Sequence, residues 1–104
     1  MAKTSERELG LAVMQVLASR SEHKAHVRTL IKNVPNYVTL TDDDRNQSAT
    51  RPNEEVWEQR VRNLKSHHKS DGNVIKDGYV EHAGRGMYKL TDVGVLHLRS
   101  KGLL

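Results

Sequence analysis

The sequence predicts an α+β fold that is mostly α. Three observations carry this. Apolar residues recur at helical spacing in separate stretches that open on capping signals. Two short runs of strand character flank a glycine-rich turn near residue 85, and a further capped helix follows them. At 104 residues, with 36% apolar residues, no Phe and a single Trp, the chain suits one modest core, and residues 1–104 are expected to form one domain.

The first helix opens at "TSERELGLAVMQVLASR". Ser5 and Glu8 have the spacing of a capping box. Leu9, Val13, Val16 and Leu17 then fall on one face and Leu11 and Met14 on another, as in a helix covered on two sides. "SRSEHKA" is a loop running into a short extended piece. In "HVRTLIKNV", Val27, Leu30, Ile31 and Val34 mark a second helix, which Pro35 ends. "NYVTLTDDDRNQSATRPN" is polar and turn-rich, an extended insertion with one helical turn that Thr41 caps ahead of Asp42, Asp43 and Asp44.

The third helix is expected from Pro52 or Asn53 to His68. "SDGN" is a turn. Tyr79 to His82 and Met87 to Leu90 form hairpin arms around Ala83-Gly84-Arg85-Gly86. Thr91 caps a final helix carrying Val95, Leu96 and Leu98, and Gly102 stops it. Three helices, a two-stranded hairpin and a final helix make the plan of a winged helix-turn-helix. In it the third helix enters the DNA major groove and the hairpin, or wing, touches backbone or minor groove.

Charge supports the same direction. The net charge is +4 and the isoelectric point is near 9.6. Residues 1–59 hold 8 Lys/Arg against 9 Asp/Glu, whereas residues 60–104 hold 9 against 4. A basic half favours a polyanion, nucleic acid ahead of an anionic membrane surface. No apolar run approaches the roughly 20 residues of a membrane span. The start of the chain lacks the apolar stretch of a signal peptide, and cysteine is absent. A cytoplasmic setting fits these features.

The sign of charge flips within the third helix, from "NEEVWE" to "RVRNLKSHHK". The helix dipole accounts for part of this, because acids suit the first turn and bases the last. A helical wheel supplies the rest. Trp57, Val61, Leu64 and His68 share the core side, Gln59, Arg62, Asn63 and Ser66 stand opposite, and Lys65, His67 and Lys69 flank them. Amide and guanidinium groups are suited to base edges, and Ser contacts edges or phosphates. Gln59, Arg62, Asn63 and Ser66 are therefore expected to face bases. Arg60, Lys65 and Lys69 are expected to neutralise phosphates, beside His67, and Arg85 at the wing tip to reach phosphate or the minor groove.

Catalysis finds no support. His67, His68, Asn73 and His82 supply residue types of a histidine-based metal nuclease at the wrong spacing, so no metal site is expected. Glu22-His23-Lys24 is half of a nuclease signature without its partner acid. The three aspartates are a solvated acidic loop, and "GRG" is a hairpin tip, not a phosphate-cradling loop. The expectation is a protein without enzymatic activity or cofactor.

The stretch "VWEQRVRNLKSHHKSDGNVIKDGYVEHAGRGMYKLTDVG" resembles the winged-helix module at the N-terminus of Mrr-type restriction endonucleases. The likeness lies in Arg60-Val61-Arg62, Gly78 to His82, Gly84-Arg85-Gly86, Tyr88 to Thr91, and Thr91 with Gly94. It covers about 40 residues, and the first two helices only by pattern. "SHHKSDGNVIKDG" is longer and more polar than that pattern, which puts a break in the third helix at Ser70 to Gly72. The resemblance implies a double-stranded DNA reader in a bacterial restriction system, including modification-dependent ones, with a nuclease domain in cis or in trans. Two other classes stay open. A stand-alone transcription regulator needs a dimer interface, for which the last helix is the candidate. A protein-interaction module would use the acidic loop.

Overall fold

The computed structural model describes residues 3–104. Four α-helices and three strands follow one another as α1 (Glu6–Ala18), β1 (Lys24–His26), α2 (Val27–Asn33), α3 (Val56–Arg62), β2 (Val80–Gly84), β3 (Met87–Leu90) and α4 (Asp92–Ser100). This is the α+β, mostly α class that the sequence predicts.

α1 starts where its cap directs. The Ser5 side chain accepts the Glu8 N–H at 3.1 Å. Leu9, Val13, Met14, Val16 and Leu17 are all buried and Leu11 is half-buried, so the helix is covered on two sides as its pattern requires. At Glu22 and His23 the backbone turns left-handed (φ 57° and 56°) and enters β1. The short extended piece is thus a third strand. It pairs antiparallel with β3, giving the sheet order β1-β3-β2. Ala25, Val80, Tyr88 and Leu90 are buried in one core with α1, α2 and α3. α2 is capped by the His26 ring, whose Nδ1 accepts the Arg28 N–H at 3.1 Å. One 3-10 turn, Val34–Asn36, holds Pro35 and closes α2.

The insertion between α2 and α3 departs from a solvated loop at one residue. Asp44 is fully buried. Thr41 and Asp44 cap each other: the Asp44 N–H donates to Thr41 Oγ1 at 3.1 Å and the Thr41 N–H to Asp44 Oδ2 at 2.8 Å. Forty residues away in sequence, Thr4 donates to the same carboxylate through its N–H (3.0 Å to Oδ1) and its hydroxyl (2.6 Å to Oδ2). The Asp44 carbonyl accepts the Trp57 N–H of α3 at 3.0 Å. Burial pushes this carboxyl up, but the bonds from Thr4 and Thr41 outweigh it and hold the group below its ordinary 3.8.

α3 is shorter than the wheel requires. It begins at Val56, after a left-handed Asn53 (φ 69°), with the Glu55 N–H donating to the Glu58 side chain at 3.0 Å. Its regular part ends at Arg62, and Asn63–Lys69 continue as turns. Trp57, Val61 and Leu64 are buried as expected. His68 is not: the change of geometry after Arg62 brings it to the surface, with Nδ1 2.9 Å from the Lys65 carbonyl oxygen. The break expected at Ser70 to Gly72 therefore lies earlier. The long link to the hairpin folds as consecutive turns around buried Asn73, whose amide donates to the Leu64 carbonyl at 3.1 Å while its oxygen accepts the Ile75 N–H at 2.8 Å.

The hairpin pairs His82 with Tyr88 and Gly84 with Met87, with a bulge at Ala83, so Arg85 and Gly86 alone form the tip. Thr91 caps α4 by accepting the Gly94 N–H at 3.0 Å. Gly94 itself is a matter of space: a Cβ there would stand 2.2 Å from the Tyr79 carbonyl oxygen and 2.6 Å from Leu90 Cδ1. Among the described residues no helix is long and apolar enough to cross a membrane.

Three outcomes follow from this packing. Gly94→Ala lowers stability by about 1–3 kcal/mol through overpacking, read by denaturant unfolding. Trp57→Ala removes a buried aromatic and costs about 3–5 kcal/mol, enough to leave much of a domain this size unfolded. Asp44→Asn lowers the unfolding midpoint at neutral pH. Because the folded carboxyl lies below its ordinary value, its contribution is complete above that value and disappears as pH falls through the folded one. The gap between parent and variant in thermal melts therefore narrows below about pH 4.

Candidate nucleic-acid interface

Nine residues carry the sequence-based expectation of DNA contact, and the fold divides them. Gln59, Arg60 and Arg62 lie within α3 and are engaged inside the protein. The Gln59 amide donates to Thr50 Oγ1 at 2.9 Å and its oxygen accepts from the Ser48 hydroxyl. Arg62 pairs through Nε with Glu54, which lies 3.8 Å from Arg51 as well. Arg60 donates to the Thr4 carbonyl at 2.7 Å and to Glu6 Oε2 at 3.3 Å, and its guanidinium is 3.6 Å from the Asp44 carboxylate. The expectation of an open amide-and-guanidinium face on the third helix is corrected here. These three side chains fasten the insertion and the N-terminal segment to α3.

The other six lie at or beyond the end of the regular helix. Asn63 is half-buried, and its backbone N–H closes α3 on the Gln59 carbonyl at 2.9 Å. Lys65, Ser66, His67 and Lys69 are exposed on the turns that follow, and Arg85 is exposed at the hairpin tip. Among the described residues, Lys65, Lys69 and Arg85 have no acidic partner within 4 Å. The contrast with the arginines of α3, each paired with an acid, is the main electrostatic feature of this side of the molecule.

The hairpin approaches this cationic turn at Tyr88 of β3, which is buried, and that burial pushes its phenol above its ordinary 10.0 against the smaller, opposing influence of the Lys65 backbone. His82 on β2 meets the Tyr88 ring edge-on at 5.6 Å between centroids. Beside α3, a groove of about 440 Å³ opens between its exposed side and the start of α1. Lys3, Glu6, Asn63, His67 and Ser70 are among the residues that line it.

Sequence reasoning missed the anchoring role of Arg60 with Asp44. The visible signal was the T-x-x-D spacing at 41–44, which marks a local cap and does not name the distant partners Thr4 and Arg60. It also missed Arg28, exposed at the start of α2. That residue is brought beside the hairpin tip because the Val27 N–H donates to the Gly86 carbonyl at 2.8 Å. The sequence neighbours Glu22 to Lys24 form a turn and a strand start, and among the described residues no group of three His, Asp or Glu side chains converges as metal ligands would.

No curated protein and no solved structure shows significant similarity to the chain. A family model does match: the Mrr N-terminal domain, over residues 7–100, from the first turn of α1 to the end of α4. With that match spanning both the C-terminal motifs and the helices that precede them, the chain belongs to the Mrr N-terminal domain family.

Proposed function

We propose that this domain binds double-stranded DNA as the reading part of a restriction-type system. It carries no cutting chemistry of its own, and a nuclease domain in cis or in trans completes the activity. The order of helices and strands, with β1 completing a three-stranded sheet behind the hairpin, fits the winged-helix plan. Membership of the Mrr N-terminal domain family supports the restriction context.

The single observation that carries the reading is the exposed turn Lys65–Lys69, whose two lysines have no acidic partner within 4 Å among the described residues, with Arg85 likewise exposed and unpaired at the hairpin tip. The arrangement changes the balance of contacts expected from sequence. With Gln59 and Arg62 bonded internally, Asn63 and Ser66 remain to meet base edges. Lys65, His67, Lys69 and Arg85 are the groups that meet phosphates, and Gln59, Arg60 and Arg62 position the helix that presents them.

A duplex held mainly through phosphates loses affinity steeply as salt rises, by about one unit of log–log slope for each contact. Replacing Lys65 and Lys69 together by Ala, and separately Arg85 by Ala, is expected to weaken binding about equally across duplex sequences and to flatten the salt dependence by roughly one unit per cation removed. Fluorescence anisotropy with a random duplex, at several salt concentrations, reads both quantities. Parental affinity and slope in both variants would sink this mechanism. An absence of duplex binding together with a stoichiometric protein partner would turn the assignment to an interaction domain.

A further inference from the structure

Five large apolar side chains stand exposed among the described residues, and four of them lie on α4 or directly after it. Val93, Leu96, Leu103 and Leu104 are 54%, 63%, 40% and 53% exposed, and Tyr37 is the fifth. α4 buries its other side, through Gly94 and Leu98. Its outward side repeats Val93, Leu96 and Ser100 at i, i+3 and i+7, the seam spacing of paired helices. Beyond the helix, Gly102 (φ 71°) turns the chain so that the Leu103 N–H bonds the Leu98 carbonyl at 2.9 Å, and the apolar surface continues past the C-terminal turn.

Charge says what covers this strip. Asp92 in the first turn of α4 and Arg99 in the last are both exposed, and their seven-residue separation places them on the same flank of the strip. Among the described residues neither has a hydrogen bond or an ion pair through its side chain. A two-fold axis across the strip reverses the helix direction and keeps the flank. Asp92 of each copy then faces Arg99 of the other, with Leu96 near the axis. The patch is therefore complementary to itself, which an isologous contact requires and an unrelated partner does not. The antiparallel arrangement also sets the two helix dipoles in opposition.

The geometry points to α4 as the interface of a homodimer of this chain. None of the residues assigned to DNA lies on α4, so the dimer stands or falls independently of duplex binding. Two helical turns bury less than the roughly 1,200 Å² of a standard interface, so the association is weak and concentration-dependent. A two-fold dimer presents its two cationic turns symmetrically, as readers of paired half-sites do.

Sedimentation equilibrium of the full chain without DNA, over about a thousandfold range of concentration, tests this. A monomer–dimer equilibrium is expected. Leu96→Glu should raise its dissociation constant about tenfold or more, a loss of about 1.4 kcal/mol or more. Asp92→Arg and Arg99→Asp should each weaken association, and the double exchange should restore it. All these positions are exposed, and circular dichroism verifies that each variant folds. A monomer at every concentration, a dimer indifferent to Leu96→Glu, or a double exchange as weak as the two single changes combined would overturn the assignment.

Discussion

A buried carboxylate governs how the start of the chain, the insertion and α3 are joined. Asp44 has no solvent contact, and a charge so placed is tolerable only when its oxygens are satisfied by donors and a counter-charge stands near. Thr4 and Thr41 supply the donors and Arg60 the counter-charge. Those residues belong to the segment before α1, to the insertion and to α3. One side chain thus ties three pieces of chain together. The apolar core holds α1, α2, α3 and the sheet together. The polar insertion packs Val38 and Leu40 against that core and adds this ionic tie to them.

That tie explains why the basic part of the charge flip along α3 is only partly open to solvent. Arg60 and Arg62 belong to the basic run by sequence, yet each lies against an acid from an earlier part of the chain. What solvent sees is the run that follows, from Lys65 to Lys69, where the helix has already given way to turns. Positive charge therefore sits at one end of α3 and not along it. A helix of seven residues offers little length to lie in a groove, so on the reading proposed above the exposed end and the hairpin tip are the parts that meet a phosphate backbone.

Legibility from sequence followed the range of the interactions. Ser5 with Glu8 and Thr91 with Gly94 are contacts three residues apart, and both caps form where their spacing places them. The hairpin and the apolar stripe of α1 were equally readable, because period and turn chemistry are local. The strand character of Lys24–His26 was visible, but its partner was not, since pairing with Met87–Leu90 spans some sixty residues. The same limit hid the roles of Gln59, Arg60 and Arg62: a wheel assigns faces, and it cannot report that Thr4 or Glu54 returns to occupy one. His68 failed for a different reason. The wheel assumed that α3 continues at constant pitch, whereas the backbone leaves the regular helix after Arg62.

The long link between α3 and the hairpin, the part of the chain that departs from the family-like pattern, is ordered by side-chain bonds at both of its ends. Asn73 satisfies the Leu64 carbonyl left open by the end of α3 and caps the next turn with the same side chain. At the far end Thr91 does the same twofold work, donating to the Gly78 carbonyl at 2.6 Å while it caps α4. Both ends of the link are thus bonded to the elements they join. On the DNA-binding reading proposed above, the ordering cost of these bonded turns is met by folding and not at the moment of binding.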